Sequence, residues 1–80
     1  MWYVYIARCG DGSLYTGITT DIERRLQSHQ SGAGSKYVRS RGVTDVVYRE
    51  PCPDQSSAMR REREIKSWDR ARKLAFVAHA

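Results

Sequence analysis

Cysteine, histidine and long apolar runs are all scarce in this chain, and each scarcity removes a class of function. Cys9 and Cys52 show no Cys-x-x-Cys spacing, and His29 and His79 complete no zinc pattern, so both thiols are expected to be reduced and structural. No apolar stretch approaches the roughly 20 residues a membrane-spanning helix needs, which argues against a membrane partner. The apolar start lacks a basic leader and is broken by Arg8. No signal peptide is therefore expected, and the protein is read as cytoplasmic. Eighty residues, 40% of them hydrophobic, can bury one modest core, so 1–80 is expected to be a single domain. The chain shows no internal repeat, linker or low-complexity segment.

Acid is missing where base is plentiful. The formal net charge is +5, and Arg24, Arg25, Lys36, Arg39 and Arg41 fall in residues 24–44 without one carboxylate among them. Residues 60–73 carry seven basic against three acidic side chains. Such local excess suits a polyanion, and nucleic-acid phosphate is the one a cytosolic protein most often meets. The plainer reading is a solvated basic face.

What is present begins with a hairpin and a helix. MWYVYIARC alternates large apolar and aromatic residues at a period of two, Gly10-Asp11-Gly12 interrupts it, and SLYTGI resumes it. A two-residue Asp11-Gly12 turn would set Tyr5 and Tyr15 on opposite faces. A loop of Gly10, Asp11 and Gly12 would instead pair Ala7 with Tyr15 and Tyr5 with Gly17, bringing both rings to one face with space over Gly17. Both loops stay open on local grounds. A helix follows: Thr20 and Glu23 make a capping box, and Ile22, Leu26 and His29 recur at helical spacing until Gly32.

Further along, Lys36-Tyr37-Val38-Arg39-Ser40-Arg41 interleaves cations with one aromatic, in a helix or an ordered loop. Lys36, Arg39 and Arg41 fit phosphate contacts, and Tyr37 either stacks on a base or packs on the core. Residues 45–50 (DVVYRE) predict a third strand, ended by Pro51 and Pro53. A helix over 56–68 capped by Asp54 or Ser56, and a last helix over 69–78 with Ala71, Leu74, Ala75 and Ala78 as its apolar face, complete the chain. The expected fold is a small α/β (α+β) domain: a three-stranded, mainly antiparallel sheet flanked by helices in the order β-β-α-(α)-β-α-α.

Two helical positions rise above composition. At about 100° per residue, Arg25 borders the Ile22–Leu26 stripe and lies within roughly 40° of His29, whereas Arg24 points to solvent. His29 by itself suits a core position or a helix C-terminus, where the macrodipole favours it. Glu62 lies between Ala58 and Ile65 on the inward side of its helix, with Glu64 outward. An inward carboxylate must be paired or metal-bound, and Lys66 four residues on, or an arginine from elsewhere, offers the structural alternative.

Tyr3-Val4-Tyr5 and Tyr15-Thr16-Gly17, with Thr19, Arg25 and His29 following, resemble the two signature triplets and first helix of the GIY-YIG endonuclease superfamily. The GSKYVRSR and RREREIK segments make the chain look most like its stand-alone bacterial YhbQ-like branch, and nearly the whole chain is covered. Tyr3 replaces the first glycine of the pattern, Thr16 replaces the isoleucine, and no asparagine supplies the late one usual near the metal. Asp69 or Ser67 stands closest to that role.

The resemblance implies a metal-dependent endonuclease that hydrolyses phosphodiester bonds in DNA, in repair or recombination, with Mg²⁺ (or Mn²⁺) as cofactor. It implies that Tyr15 or Tyr5 deprotonates or orients the attacking water. Arg25 would hold the scissile phosphate, Glu62 would be the metal's protein ligand, and His29 would assist proton transfer or orient Tyr5. The alternatives are a non-catalytic nucleic-acid-binding module on the same scaffold and an accessory protein.

Overall fold

The computed structural model describes residues 1–30 and 43–79. Within them, β1 (Trp2–Cys9), β2 (Leu14–Thr19), α1 (Ile22–Gln30), β3 (Val43–Cys52), α2 (Gln55–Lys66) and α3 (Arg70–Ala78) follow in chain order. The three strands form one antiparallel sheet in the order β2-β1-β3. The expected architecture holds, with the element foreseen between α1 and β3 outside the described residues.

The hairpin takes the three-residue loop. Ala7 lies across from Tyr15 and Tyr5 across from Gly17. The Cys9 N–H donates to the Ser13 carbonyl at 2.8 Å and the Gly12 N–H to the Cys9 carbonyl at 2.9 Å, so residues 10–12 form the loop. Gly12 adopts φ +86°, the left-handed conformation that ends such loops and that glycine adopts without a steric penalty. Asp11 uses its carboxylate to accept from the Ser13 N–H at 3.0 Å and the Ser13 hydroxyl at 2.6 Å, which holds the longer loop against the two-residue turn.

Alternation then divides the core between two faces. Tyr5, Ala7 and Cys9 of β1 join Ile22 and Leu26 of α1, with Tyr3, Tyr15 and Val46 around them. Val4 and Ile6 point the other way and meet Cys52, Ala58 and Ile65, with Trp68, Phe76 and Val77 completing the layer. The sheet thus lies between α1 on one face and α2 with α3 on the other. Both cysteines are buried free thiols, as expected.

Four local expectations are corrected. The α1 cap is Asp21, whose carboxylate accepts the Arg24 N–H at 3.1 Å; Thr19 binds the Asp21 backbone, so Thr20 makes no capping box. The third strand runs through Pro51 to Cys52, because β3 is an edge strand on which a missing N–H is tolerated. The α2 helix stops at Lys66 with Ser67 as its C-cap, so Trp68 lies beyond its end. The stripe Ala71, Leu74, Ala75 and Ala78 is exposed, and α3 packs through Phe76 and Val77 instead. Asp54 and Asp69 cap α2 and α3 through the Ser57 and Arg72 N–H groups.

Candidate active site

Tyr5 is the centre of the α1 face. It is 2% exposed, and its ring lies across Gly17 on the neighbouring strand. A Cβ built on Gly17 would stand 2.6 Å from the Tyr5 hydroxyl oxygen and 2.8 Å from Cζ, so the space foreseen above this glycine is filled by the ring. Tyr15, half-buried, places its ring centroid 6.3 Å from that of Tyr5 at a 43° tilt. Both rings therefore share one face.

The electrostatics around the Tyr5 hydroxyl identify its other neighbours. Burial pushes the phenol well above its ordinary range, and Tyr15 pushes the same way. The Arg25 guanidinium pulls it down, and the Glu62 carboxylate raises it. Arg24 and Arg25 are both exposed, yet only Arg25 is felt at this hydroxyl, in keeping with its position beside the apolar stripe. The Glu62 carboxylate acts through space from α2, the helix that packs against β1 and β2 on the far face. The tilt of Tyr5 over Gly17 carries its hydroxyl toward β2, the strand at that edge of the sheet. Groups on β2, α1 and α2 are thus all felt at the phenol carried by β1.

Glu62 is inward, as its position between fully buried Ala58 and Ile65 requires. Its side chain keeps 24% exposure, and one oxygen lies 3.6 Å from Lys66 Nζ, the structural pairing foreseen as its alternative. The contact is long for a charge-assisted hydrogen bond. Glu64 faces outward at 56% exposure and binds Arg61 Nη1 at 2.8 Å.

His29 lies in the last turn of α1, but its side chain is outside the described residues, as are Lys36, Tyr37, Arg39 and Arg41 altogether. Asp69 and Ser67, the substitutes for the missing asparagine, are both engaged as helix caps. Sequence reasoning missed Arg49, which stands directly across from Tyr5 on β3 and so on the same face. Its signal was weak, because a strand arginine marks a site only once the register is known.

Set beside known proteins, residues 1–75 match the GIY-YIG catalytic domain family. The chain belongs to the GIY-YIG family. Among its relatives are UPF0213 protein DP2720 of Desulfotalea psychrophila, 52% identical over 77 residues covering 95% of this chain and 70% of that protein. Another is UPF0213 protein YhbQ of Escherichia coli, 46% identical over 77 residues covering 96% and 77%. The solution NMR structure of UPF0213 protein BH0048 from Bacillus halodurans superposes with a TM-score of 0.61 at 47% identity, covering 98% of this chain and 84% of that one. The GIY-YIG fold and the YhbQ-like branch are thereby shown, and Tyr5 and Tyr15 lie side by side on the α1 face of this GIY-YIG domain.

The carboxylates limit what metal site can exist. Among the described residues no three or more His, Cys, Asp or Glu side chains gather around a common point. A calcium- or zinc-type cage is therefore not built from them. One half-exposed carboxylate with a loose lysine contact does fit Mg²⁺, which keeps several waters and takes one or two carboxylates plus phosphate oxygens. Among the described residues no helix is long and apolar enough to cross a membrane.

Proposed function

We propose that this GIY-YIG domain is a metal-dependent endonuclease hydrolysing phosphodiester bonds in DNA, acting in repair or recombination in the cytoplasm. The observation that carries the reading is the pairing of the Tyr5 and Tyr15 rings on one face, 6.3 Å between centroids, where the charges of Arg25 and Glu62 from two further elements are felt at the Tyr5 hydroxyl. A purely structural tyrosine needs no such company.

In hydrolysis, the water oxygen bonds to phosphorus as the bond from phosphorus to the 3′ oxygen breaks. One proton finishes on that 3′ oxygen, leaving a 5′ phosphate. The roles divide by burial. Tyr5 is held protonated, so it donates a hydrogen bond and positions the water. Tyr15, the more exposed ring, takes the water's proton or directs it. Arg25, exposed beside them, binds a non-bridging phosphate oxygen and stabilises the added negative charge. Glu62 would hold Mg²⁺ (or Mn²⁺), and a bound cation would supply positive charge that eases departure of the leaving oxygen. His29 assists proton transfer or orients Tyr5. Lys36, Tyr37, Arg39 and Arg41, in the acid-free run that begins at Arg24, add contacts to the nucleic acid.

A second reading, a nucleic-acid-binding module without catalysis, draws on the Glu62–Lys66 contact and the absence of asparagine. The discriminating measurement is cleavage of labelled double-stranded, branched and single-stranded DNA and of RNA, with and without Mg²⁺ or Mn²⁺. Cation-dependent strand scission of DNA supports the enzyme. Retained binding without scission of any substrate selects the module.

A further inference from the structure

Opposite the paired tyrosines, the far face of the sheet carries a concave site that the proposed chemistry does not use. Tyr48, Trp68 and Phe76 form a continuous aromatic wall: Phe76 meets Tyr48 edge-on at 4.7 Å between centroids and Trp68 edge-on at 5.0 Å. All three rings remain half-exposed. They border an open cleft of about 710 Å³, completed by Ala75 and His79 of the last helix and its cap.

The two arginines of this cleft differ in their state. Arg61 is spoken for: its Nε lies 3.2 Å from Glu50 Oε1 and its Nη1 2.8 Å from Glu64 Oε1, and the Tyr48 hydroxyl donates to the same Glu50 oxygen at 2.6 Å. Its guanidinium sits 5.5 Å from the Trp68 ring centre and 5.7 Å from that of Phe76. Arg72 stacks closer, 4.3 Å from the Trp68 ring centre, and has no carboxylate partner among the described residues. Stacking thus fixes a positive charge at the lip of an aromatic cleft without neutralising it. A bare anion would leave the rings unused, and an apolar chain would bury Arg72 unpaired. A planar base joined to a phosphate satisfies both, and the volume lies within the roughly 300–1,000 Å³ of small-ligand sites.

We propose that this cleft binds an unstacked nucleotide, its base against Trp68 and Phe76 and its phosphate on Arg72 and His79. The substrate class that follows is nucleic acid with unpaired nucleotides. The inference rests on the nucleic-acid reading for its ligand but not on catalysis. The α2 helix links the two sites, for the charge of Glu62 is felt at Tyr5 while Arg61 and Glu64 line the cleft.

The test begins with Trp2→Phe, which leaves Trp68 as the single tryptophan. Its fluorescence is titrated with a fluorescein-free unpaired oligodeoxynucleotide, deoxyadenosine monophosphate, deoxyadenosine, inorganic phosphate and a glutamate-rich peptide. Oligonucleotide binding is followed in parallel by anisotropy of a labelled strand. Saturable quenching by the strand and by the monophosphate is expected, and none by phosphate or peptide. Arg72→Ala and Ala75→Glu, both at exposed positions, should weaken strand binding roughly five- to a hundredfold, the range for losing one stacked nucleotide. Ala71→Glu, exposed on the same helix but off the cleft, should change it less than about twofold, in keeping with a screened surface charge. Strand binding by anisotropy that neither quenches Trp68 nor responds to the two cleft variants overturns the proposal. So does equal quenching by phosphate alone, which marks a simple anion site, or stronger quenching by the peptide, which marks a protein partner. Quenching by the monophosphate in a protein that binds no strand would sink the nucleic-acid reading and leave the nucleotide cleft standing.

Discussion

The ring of Tyr5 lies across Gly17, with its hydroxyl oxygen 2.6 Å from the point a Cβ would occupy. The glycine of the second signature triplet is thus needed for space, since its backbone angle is not in the left-handed region. Gly17→Ala should tilt the ring, cost about 1–3 kcal/mol as overpacking does, and reduce cleavage through the misplaced hydroxyl. A double-mutant cycle with Tyr5→Leu checks the cause. Additive losses in melting temperature would show that the two residues do not compete for space.

Glu62 separates chemistry from architecture. Glu62→Gln preserves size but removes the charge that anchors a divalent cation, so cleavage should fall by about two to three orders of magnitude or more, as for loss of a charge-stabilising group. Melting temperature and DNA affinity should hardly change, because the contact to Lys66 is long and partly exposed. Glu64→Gln should leave cleavage intact and cost at most about 1 kcal/mol through its exposed pairing with Arg61. A Glu62→Gln protein that melts early yet cuts normally would mark the carboxylate as structural.

Thr16 is 3% exposed, and its hydroxyl has no hydrogen-bond partner among the described residues. It stands where the signature has isoleucine and faces the α2 and α3 layer beside Ile6. Thr16→Val keeps the shape and removes an unsatisfied polar atom, which should stabilise the fold by about 1 kcal/mol. For a chain of this size that is a rise of roughly 4–8 °C in melting temperature. Thermal denaturation showing no gain would mean the hydroxyl is satisfied in solution.

Alkali should unfold the protein through its buried phenol, Tyr5. Tyr5 is raised chiefly by burial, and Tyr48 by burial and by its bond to Glu50. A raised value in the folded state means the stabilisation is complete below the ordinary tyrosine range, near pH 10, and is lost as pH climbs beyond it. Tyrosinate absorbance from Tyr5 should therefore appear together with loss of circular dichroism. Tyr5→Phe should move the alkaline midpoint upward relative to neutral stability, and an unchanged midpoint would show that Tyr5 ionises without unfolding.

Nucleic-acid binding should weaken with salt. Each phosphate contact contributes a slope of about −0.9 on duplex DNA, so alanine at both Arg39 and Arg41 should flatten the dependence by about one to two units. Binding isotherms with an unaltered slope would remove that segment from the interface.

Much of this was legible in the chain because it depends on neighbours a few residues away. The two-residue alternation of β1 and β2, the cap at Asp54, and the inward position of Glu62 between Ala58 and Ile65 all follow from local geometry. Tertiary structure decided what local patterns leave degenerate. Two hairpin loops were compatible with Gly10-Asp11-Gly12, and the longer one prevailed where Asp11 turned its carboxylate to Ser13 and Gly12 took a positive φ. The α3 stripe of Ala71, Leu74, Ala75 and Ala78 had helical spacing, yet the far face of the sheet offered room for a large ring between Tyr48 and Trp68. Phe76 filled it, and the alanine stripe was left in solvent. Small side chains bury too little area to outweigh an aromatic one. The Tyr15 ring beside Tyr5 and the influence of Arg25 and Glu62 on its hydroxyl had the same origin, since only the docking of two helices on opposite faces of one sheet sets the distances between residues so far apart in the chain.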